Sequence, residues 1–246
     1  MSSNRKQFAL IGLAAGLFAA VMVAGVAGNV ARGNYMAVPV IFSALILAFL
    51  FIWLGVWLNQ RRIQIMFRRP TPDRLIEHYH ATLLQARARK IPNADAVAAH
   101  LSALAAVIYG QYDRAREELA AVDWDKAPAM YQGHRLHILA LIALLEKRDT
   151  VAAIRLASEA EALEATDRAG GLPILHSAVL VAAGGGDPDT VKRLQRAAGR
   201  GTGAIPGLCA WALALYFERA GQAAEAARYR ERVKEAIPNF VGLAAS

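Results

Sequence analysis

The fold is decided by residues 213–236, which read LALYFERAGQAAEAARYRERVKEA. Apolar and small residues in the first half recur at the three- and four-residue spacing of one helix face, and this spacing returns after Gly221. Glycine tolerates the left-handed backbone that ends a helix, so Gly221 is the natural turn between the halves. The stretch therefore predicts two helices joined by a tight turn.

The same pattern recurs upstream in residues 105–122, 141–160 and 179–198. Anchored on Gly110, Arg148, Gly186 and Gly221, the four copies are spaced by 38, 38 and 35 residues. These spacings are close to the ~34-residue period of helix–turn–helix repeats. In the second copy Arg148 and Asp149 stand where the others have glycine.

Helix starts also carry the expected residues. Thr71-Pro72-Asp73 reads as an N-cap, a proline in the first turn and an acidic residue, and similar signals occur at Asn93 and at Asp187 before Pro188. No stretch between 71 and 246 alternates apolar and polar residues with β-branched enrichment. We therefore expect residues 71–246 to form an all-α domain.

These positions resemble the tetratricopeptide repeat family. In the last copy Ala214 and Ala226 occupy the small positions of the two helices, and Pro238 is the closing proline. The first copy matches at Ala103, Gly110, Tyr112, Ala115 and Leu119, whereas the middle copies replace small residues with Leu141 and Val191. The resemblance covers about residues 71–240 and implies an α-solenoid of stacked helical pairs.

The resemblance also implies a partner-binding groove along the first helix of each pair. The alternative interpretation is that several of these positions are buried in the core between the helices. The candidate groove residues are His100, Leu104, Ile138, Ile142, His176, Leu180, Trp211, Leu215 and Arg219.

Residues 1–60 carry two uncharged stretches, at about 8–30 and 37–58. At ~1.5 Å per residue each is long enough to cross a hydrocarbon core of ~30 Å, which predicts an N-terminal transmembrane helical hairpin. A cleaved signal peptide is the alternative for the first stretch. Small residues on one face of the first stretch would pack against the second, a second copy or another membrane subunit. These are Gly12, Gly16, Ala20, Ala24 and Gly28.

The net charge of +8 lies beside the hydrophobic stretches, because residues 91–246 carry 17 basic and 18 acidic residues. This distribution favours membrane topology over nucleic-acid binding. The basic juxtamembrane segment 61–70 places both termini in the cytoplasm by the positive-inside rule. Its arginines would also meet anionic lipid headgroups. They are Arg61, Arg62, Arg68 and Arg69.

Residues that could carry chemistry are few. Glu77 with His80, and His134 with His137, are each three apart, but a stable metal site needs three or four ligands. The glycine runs at 184–186 and 199–203 follow no predicted strand and lack a Gly-Lys-Ser/Thr ending. The lone Cys209 excludes an intramolecular disulfide and a CxxC site. We expect no enzyme, metal or cofactor.

The layout is similar to bacterial haem-biosynthesis-associated membrane proteins of HemY type. The shared short sequence is Trp57-Leu58 followed by Arg61-Arg62-Ile63. Unlike those proteins, this chain lacks a long loop between its two uncharged stretches. We expect a scaffold in a bacterial inner membrane that recruits protein partners at the cytoplasmic face. The alternatives are an accessory subunit packed through its membrane helices and, with less support, a metal-dependent enzyme using the paired histidines.

Overall fold

The computed structural model describes residues 37–167, 173–199 and 203–243. Over these ranges the secondary structure is helical and contains no strand, which confirms the all-α prediction. The chain divides into two compact units, Met1–Arg62 and Ile63–Ser246.

Ten α-helices make up the described chain, together with 3₁₀ turns at Trp124–Lys126 and Val241–Leu243. In chain order they are α1 (Ala37–Phe67), α2 (Asp73–Ala88), α3 (Ala94–Ile108), α4 (Tyr112–Ala120), α5 (Ala129–Leu145), α6 (Thr150–Asp167), α7 (Pro173–Ala182), α8 (Pro188–Ala198), α9 (Ala204–Arg219) and α10 (Ala223–Ala236).

The second predicted membrane stretch lies within α1, which continues beyond residue 58 to Phe67. By length and composition Ile46–Phe67 could cross a membrane, and large apolar side chains on it are exposed, such as Phe51 at 74%. The first predicted stretch, 8–30, lies outside the described residues together with its five small side chains. The hairpin therefore stays a prediction.

The second unit is built from helical pairs that contact in a regular order. The pairs are α3 with α4, α5 with α6, α7 with α8 and α9 with α10, and α2 packs on α3. In addition, the first helices of successive pairs contact one another: α3 with α5, α5 with α7 and α7 with α9. Each pair thus buries its apolar side chains against the next as well as within itself.

All four turn residues used to align the repeats have a left-handed backbone, with φ of 74° at Gly110, 54° at Arg148, 97° at Gly186 and 69° at Gly221. After the first of these, the N–H of Gln111 donates to the Ala106 carbonyl at 2.9 Å, as in a Schellman helix end. Arg148 therefore occupies a conformation that suits glycine better than any residue with a Cβ.

The helix-start predictions have mixed outcomes. Asp187 caps α8, since its Oδ1 accepts the Thr190 N–H at 2.6 Å. The start of α2 falls one residue later than predicted, because Pro72 rather than Thr71 is the N-cap residue. Asn93 precedes α3 with a left-handed φ of 59° and without a side-chain cap.

One close approach in the core requires glycine. A Cβ placed on Gly207, in the first turn of α9, would lie 2.5 Å from Cγ1 of Ile237, which is fully buried just after α10. The missing side chain therefore lets the two ends of this pair meet. Other fully buried side chains of the core include Leu75, Ile108 and Leu213.

The chain that follows α1 is held by two distant side chains. The Asn239 amide donates to the Arg69 carbonyl at 2.7 Å, and the Tyr109 hydroxyl lies 2.9 Å from the Phe67 carbonyl and 3.0 Å from that of Arg69. Side chains just after α3 and α10 thus satisfy the carbonyl of the last residue of α1 and one in the turn that follows it.

Candidate functional site

Four histidine rings line up across the first helices of three successive pairs. His100 lies on α3, His134 and His137 on α5, and His176 on α7. The ring centroids of His100 and His134 are 4.6 Å apart and stacked, those of His100 and His137 are 6.1 Å apart, and those of His137 and His176 are 5.5 Å apart. We call these four residues the histidine column.

Three rings of the column are buried inside the helical unit, and the fourth, His134, is half-buried. His100 is 4% exposed, and His137 and His176 are 1% exposed. Desolvation holds the pKa of His100 and of His137 well below the usual 6.5, and the neighbouring histidines lower both pKa values further. Both rings are therefore neutral at physiological pH.

Several ring nitrogens of the column have no hydrogen bond to other described residues. They are Nε2 of His100 and both nitrogens of His137. A buried polar atom without a partner costs free energy, so these positions are either a strain on the fold or places for a group from outside the chain.

The histidine pairs noted in the sequence meet different partners. His134 and His137 join the column, whereas His80 Nε2 lies 2.9 Å from Glu118 Oε2 on α4, and Glu77 instead pairs with Arg74 at 3.3 Å. Throughout the described ranges, no group of three His, Cys, Asp or Glu side chains has the arrangement of a metal site. Burial raises the pKa of the Cys209 thiol to about 12, so it is not a reactive nucleophile.

Two cavities lie beside the candidate groove residues. The first, of about 230 Å³, borders His100 and Leu104, and the second, of about 260 Å³, borders Trp211, Leu215 and Arg219. Arg219 donates from Nη1 to the Ala182 carbonyl at 2.9 Å and from Nη2 to the Val181 carbonyl. Its guanidinium thus satisfies the end of α7 at the wall of the second cavity.

The remaining groove candidates differ in exposure. Ile138, Ile142 and His176 are at most 3% exposed and belong to the core of the first-helix stack, and Leu180 is half-buried. The four candidate headgroup arginines are exposed, and the guanidinium of Arg61 lies over the Trp57 ring, 5.0 Å from its centroid.

The column as a single feature was not predicted, although a signal for it exists. His100, His137 and His176 are 37 and 39 residues apart, nearly the spacing of the turn anchors. Residues one repeat apart lie at equivalent positions of stacked helices, so this recurrence could have indicated contact.

Compared with known proteins, the chain has no significant match among protein-family models, curated proteins or solved structures. Its function must therefore be argued from its own residues.

Proposed function

We propose that this protein is a membrane-anchored scaffold in which a tetratricopeptide-like solenoid recruits protein partners. The observation that carries the proposal is which helices contact each other: the first helices of successive pairs, α3, α5, α7 and α9, pack one against the next. Stacked pairs of this kind present an extended surface for binding, and bond chemistry is not part of the proposal.

The proposal includes an N-terminal transmembrane hairpin in a bacterial inner membrane, with both termini in the cytoplasm. Support comes from the exposed apolar side chains of α1 and from the arginines that follow them. Arginine beside a hydrophobic segment favours the cytoplasmic side, and an anchored binding domain raises the local concentration of its partner at the membrane.

For the partner surface we favour the second cavity, where Leu215 is half-buried and Arg219 is exposed. Apolar wall atoms beside a guanidinium suit a peptide segment that offers an apolar side chain next to a carboxylate. Trp211 forms the floor with 5% of its surface exposed.

The test is site-specific photo-crosslinking of the full-length chain in its native membrane. A photoreactive residue at 215 faces the second cavity, and the matched control carries it at Leu84, which is 65% exposed on α2 and does not line that cavity. The scaffold proposal expects one discrete protein adduct from position 215 that is weakened by Arg219→Glu and absent from position 84. The same random adducts from both positions would contradict it.

The alternative is an accessory subunit of a membrane complex, favoured by the apolar surface of α1. A third photoreactive position at Phe51, 74% exposed, distinguishes the two. A protein adduct from Phe51 combined with none from position 215 would favour the accessory subunit, because the membrane helix would then be the contact surface.

A further inference from the structure

The chain between α2 and α3 exposes apolar and basic side chains together. Residues 84–91, which read LQARARKI, cover the end of α2 and the turn that follows it, and we call them the basic turn. Leu84 is 65% exposed and Ile91 is 43% exposed. Three exposed basic side chains lie between them: Arg87, Arg89 and Lys90.

The charge of the basic turn is only partly neutralised. Arg87 Nε lies 2.7 Å from Asp95 Oδ1 on α3. Arg89 and Lys90 form no ion pair with any other residue that the structure describes, and residues 78–94 contain neither Asp nor Glu. Two positive charges beside two exposed apolar side chains are therefore available to an anionic partner.

The backbone of the basic turn is held by the end of α2. The Lys90 N–H donates to the Arg87 carbonyl at 2.9 Å, and the Ile91 N–H donates to the Ala86 carbonyl at 3.0 Å. The exposed side chains thus stand on a backbone that is already hydrogen-bonded, so a partner that binds them has little backbone to order.

The basic turn lies in the direction from which α1 arrives. The Phe67 carbonyl, at the end of α1, lies 2.9 Å from the hydroxyl of Tyr109, which follows the end of α3. Ile63, one turn before Phe67, lines the first cavity with Tyr79 and Leu101, in the middle of α2 and α3. Followed backward, the last turn of α1 therefore runs along these two helices toward the basic turn that joins them.

We propose that the basic turn rests on the membrane surface, with Leu84 and Ile91 among the lipid headgroups and with Arg89 and Lys90 beside anionic phosphates. Exposed apolar side chains next to unpaired cations suit a lipid surface, because burial and electrostatic attraction add up there. A stable protein interface would need far more apolar area than two side chains offer. The proposal rests on the membrane anchor of the proposed function and adds a second contact with the bilayer, made by the helical unit itself.

The experiment measures how close the basic turn comes to lipid in the full-length chain, reconstituted in nanodiscs that contain phosphatidylglycerol. An NBD dye is attached to Leu84→Cys or, in a separate protein, to Ile91→Cys, and a lipid with a nitroxide on its headgroup quenches the dye at close range. Cys209, the only cysteine of the chain, is fully buried and stays unlabelled. The matched control carries the dye at Val151→Cys, 78% exposed on α6. We expect quenching at both positions of the basic turn and little at the control.

A pair of charge reversals tests the basic residues, with the dye at position 84. Each basic residue near an anionic surface contributes about 1 kcal/mol, so Arg89→Glu with Lys90→Glu should weaken the contact at least about 30-fold and remove most of the quenching. Lys147→Glu with Arg148→Glu is the matched control: it reverses another adjacent basic pair in a turn between helices, and the left-handed φ of 54° at Arg148 matches that of 53° at Lys90. We expect wild-type quenching in this control.

The lipid comparison needs no charge variant. In nanodiscs of phosphatidylcholine alone, quenching at Leu84→Cys should fall as it does in the double reversal, because the anionic headgroups are missing. Equal quenching in both lipids, an unchanged signal in the double reversal, or quenching at Val151→Cys as strong as at the basic turn would each overturn the proposal. A disulfide between two Leu84→Cys chains, formed without lipid quenching, would show a second copy on this surface and would overturn it as well.

A dye at Phe51→Cys separates this proposal from the membrane anchor, since a nitroxide on the lipid acyl chain reports on that position. Quenching at Phe51→Cys without quenching at Leu84→Cys and Ile91→Cys would overturn the contact of the basic turn and support the anchor. Quenching at the basic turn without quenching at Phe51→Cys would support the contact and contradict the anchor. Circular dichroism checks the fold of every labelled protein.

Discussion

Acidification should destabilise this protein at a pH where most proteins are still stable. The pKa of His100 and of His137 lies well below 6.5 in the folded chain because burial disfavours the charged ring. Well above pH 6.5 both rings are neutral in the folded and the unfolded state, so they do not change the free energy of unfolding with pH. Below pH 6.5 the unfolded chain binds protons that the folded chain excludes, and stability falls.

The size of the effect follows from linkage. Each such histidine lowers the free energy of unfolding by about 1.4 kcal/mol per pH unit once the pH is below the unfolded pKa. Between pH 7.5 and pH 5.5 the two rings together cost about 2.7 kcal/mol, a large part of a typical stability of ~5–15 kcal/mol. At ~2–4 °C per kcal/mol for a domain of this size, the melting temperature should fall by about 5–11 °C.

The assay is thermal and urea unfolding of the full-length chain, monitored by tryptophan fluorescence from pH 8 to pH 5.5. Trp124 and Trp211 are buried in the helical unit and report on it. In the double variant His100→Leu with His137→Leu, stability should no longer fall as the pH is lowered through this range. The control His80→Leu retains both buried rings, so its stability should still fall as in the wild type. A flat wild-type profile, or an unchanged slope in the double variant, would refute the reasoning.

Three further predictions can be checked by urea unfolding. Gly207→Ala should destabilise by about 1–3 kcal/mol, because the new methyl group would overlap the buried Ile237, whereas Gly199→Ala, with no contact under 3.5 Å, should be close to neutral. Arg148→Gly should stabilise the protein by roughly 0.5–1 kcal/mol, because glycine adopts the left-handed backbone without the steric penalty that a Cβ brings, and this gain exceeds the extra backbone entropy that glycine loses on folding. A loss of stability would contradict this. Arg219→Met should cost about 1.5–3 kcal/mol, because it removes the donors to two carbonyls of α7, and an unchanged midpoint would show that water replaces them.

The helical content and the repeat turns could be predicted because their signals are local. Gly110 and Gly221 allow the left-handed backbone that ends a helix, and even Arg148 was assigned to its turn from spacing alone. The start of α2 was misplaced by one residue, because Thr71 and Pro72 both carry helix-start signals and only the backbone distinguishes them. The predicted membrane stretch ends at residue 58 and α1 continues to Phe67, because charge ends an apolar stretch but does not break a helix.

The site was less predictable, because it depends on contacts between distant residues. His134 and His137 were considered as a pair on one helix, but their neighbours His100 and His176 come from two other helices. Ile138 and His176 were placed in a groove from register, whereas their burial depends on how closely α3, α5 and α7 pack. Register gives the face of a helix but not the distance to the next one.

The sequence by itself determined the helices, the turns at a spacing of 35–38 residues and the length of the apolar segment in α1, since each depends on residues near one another in the chain. Only the tertiary structure decided that three buried histidines and the half-buried His134 stack in one column, and that the start of α9 and His100 border the same apolar pocket. Those arrangements result from the packing of helices far apart in sequence, where side-chain volume and the loss of water set the distances.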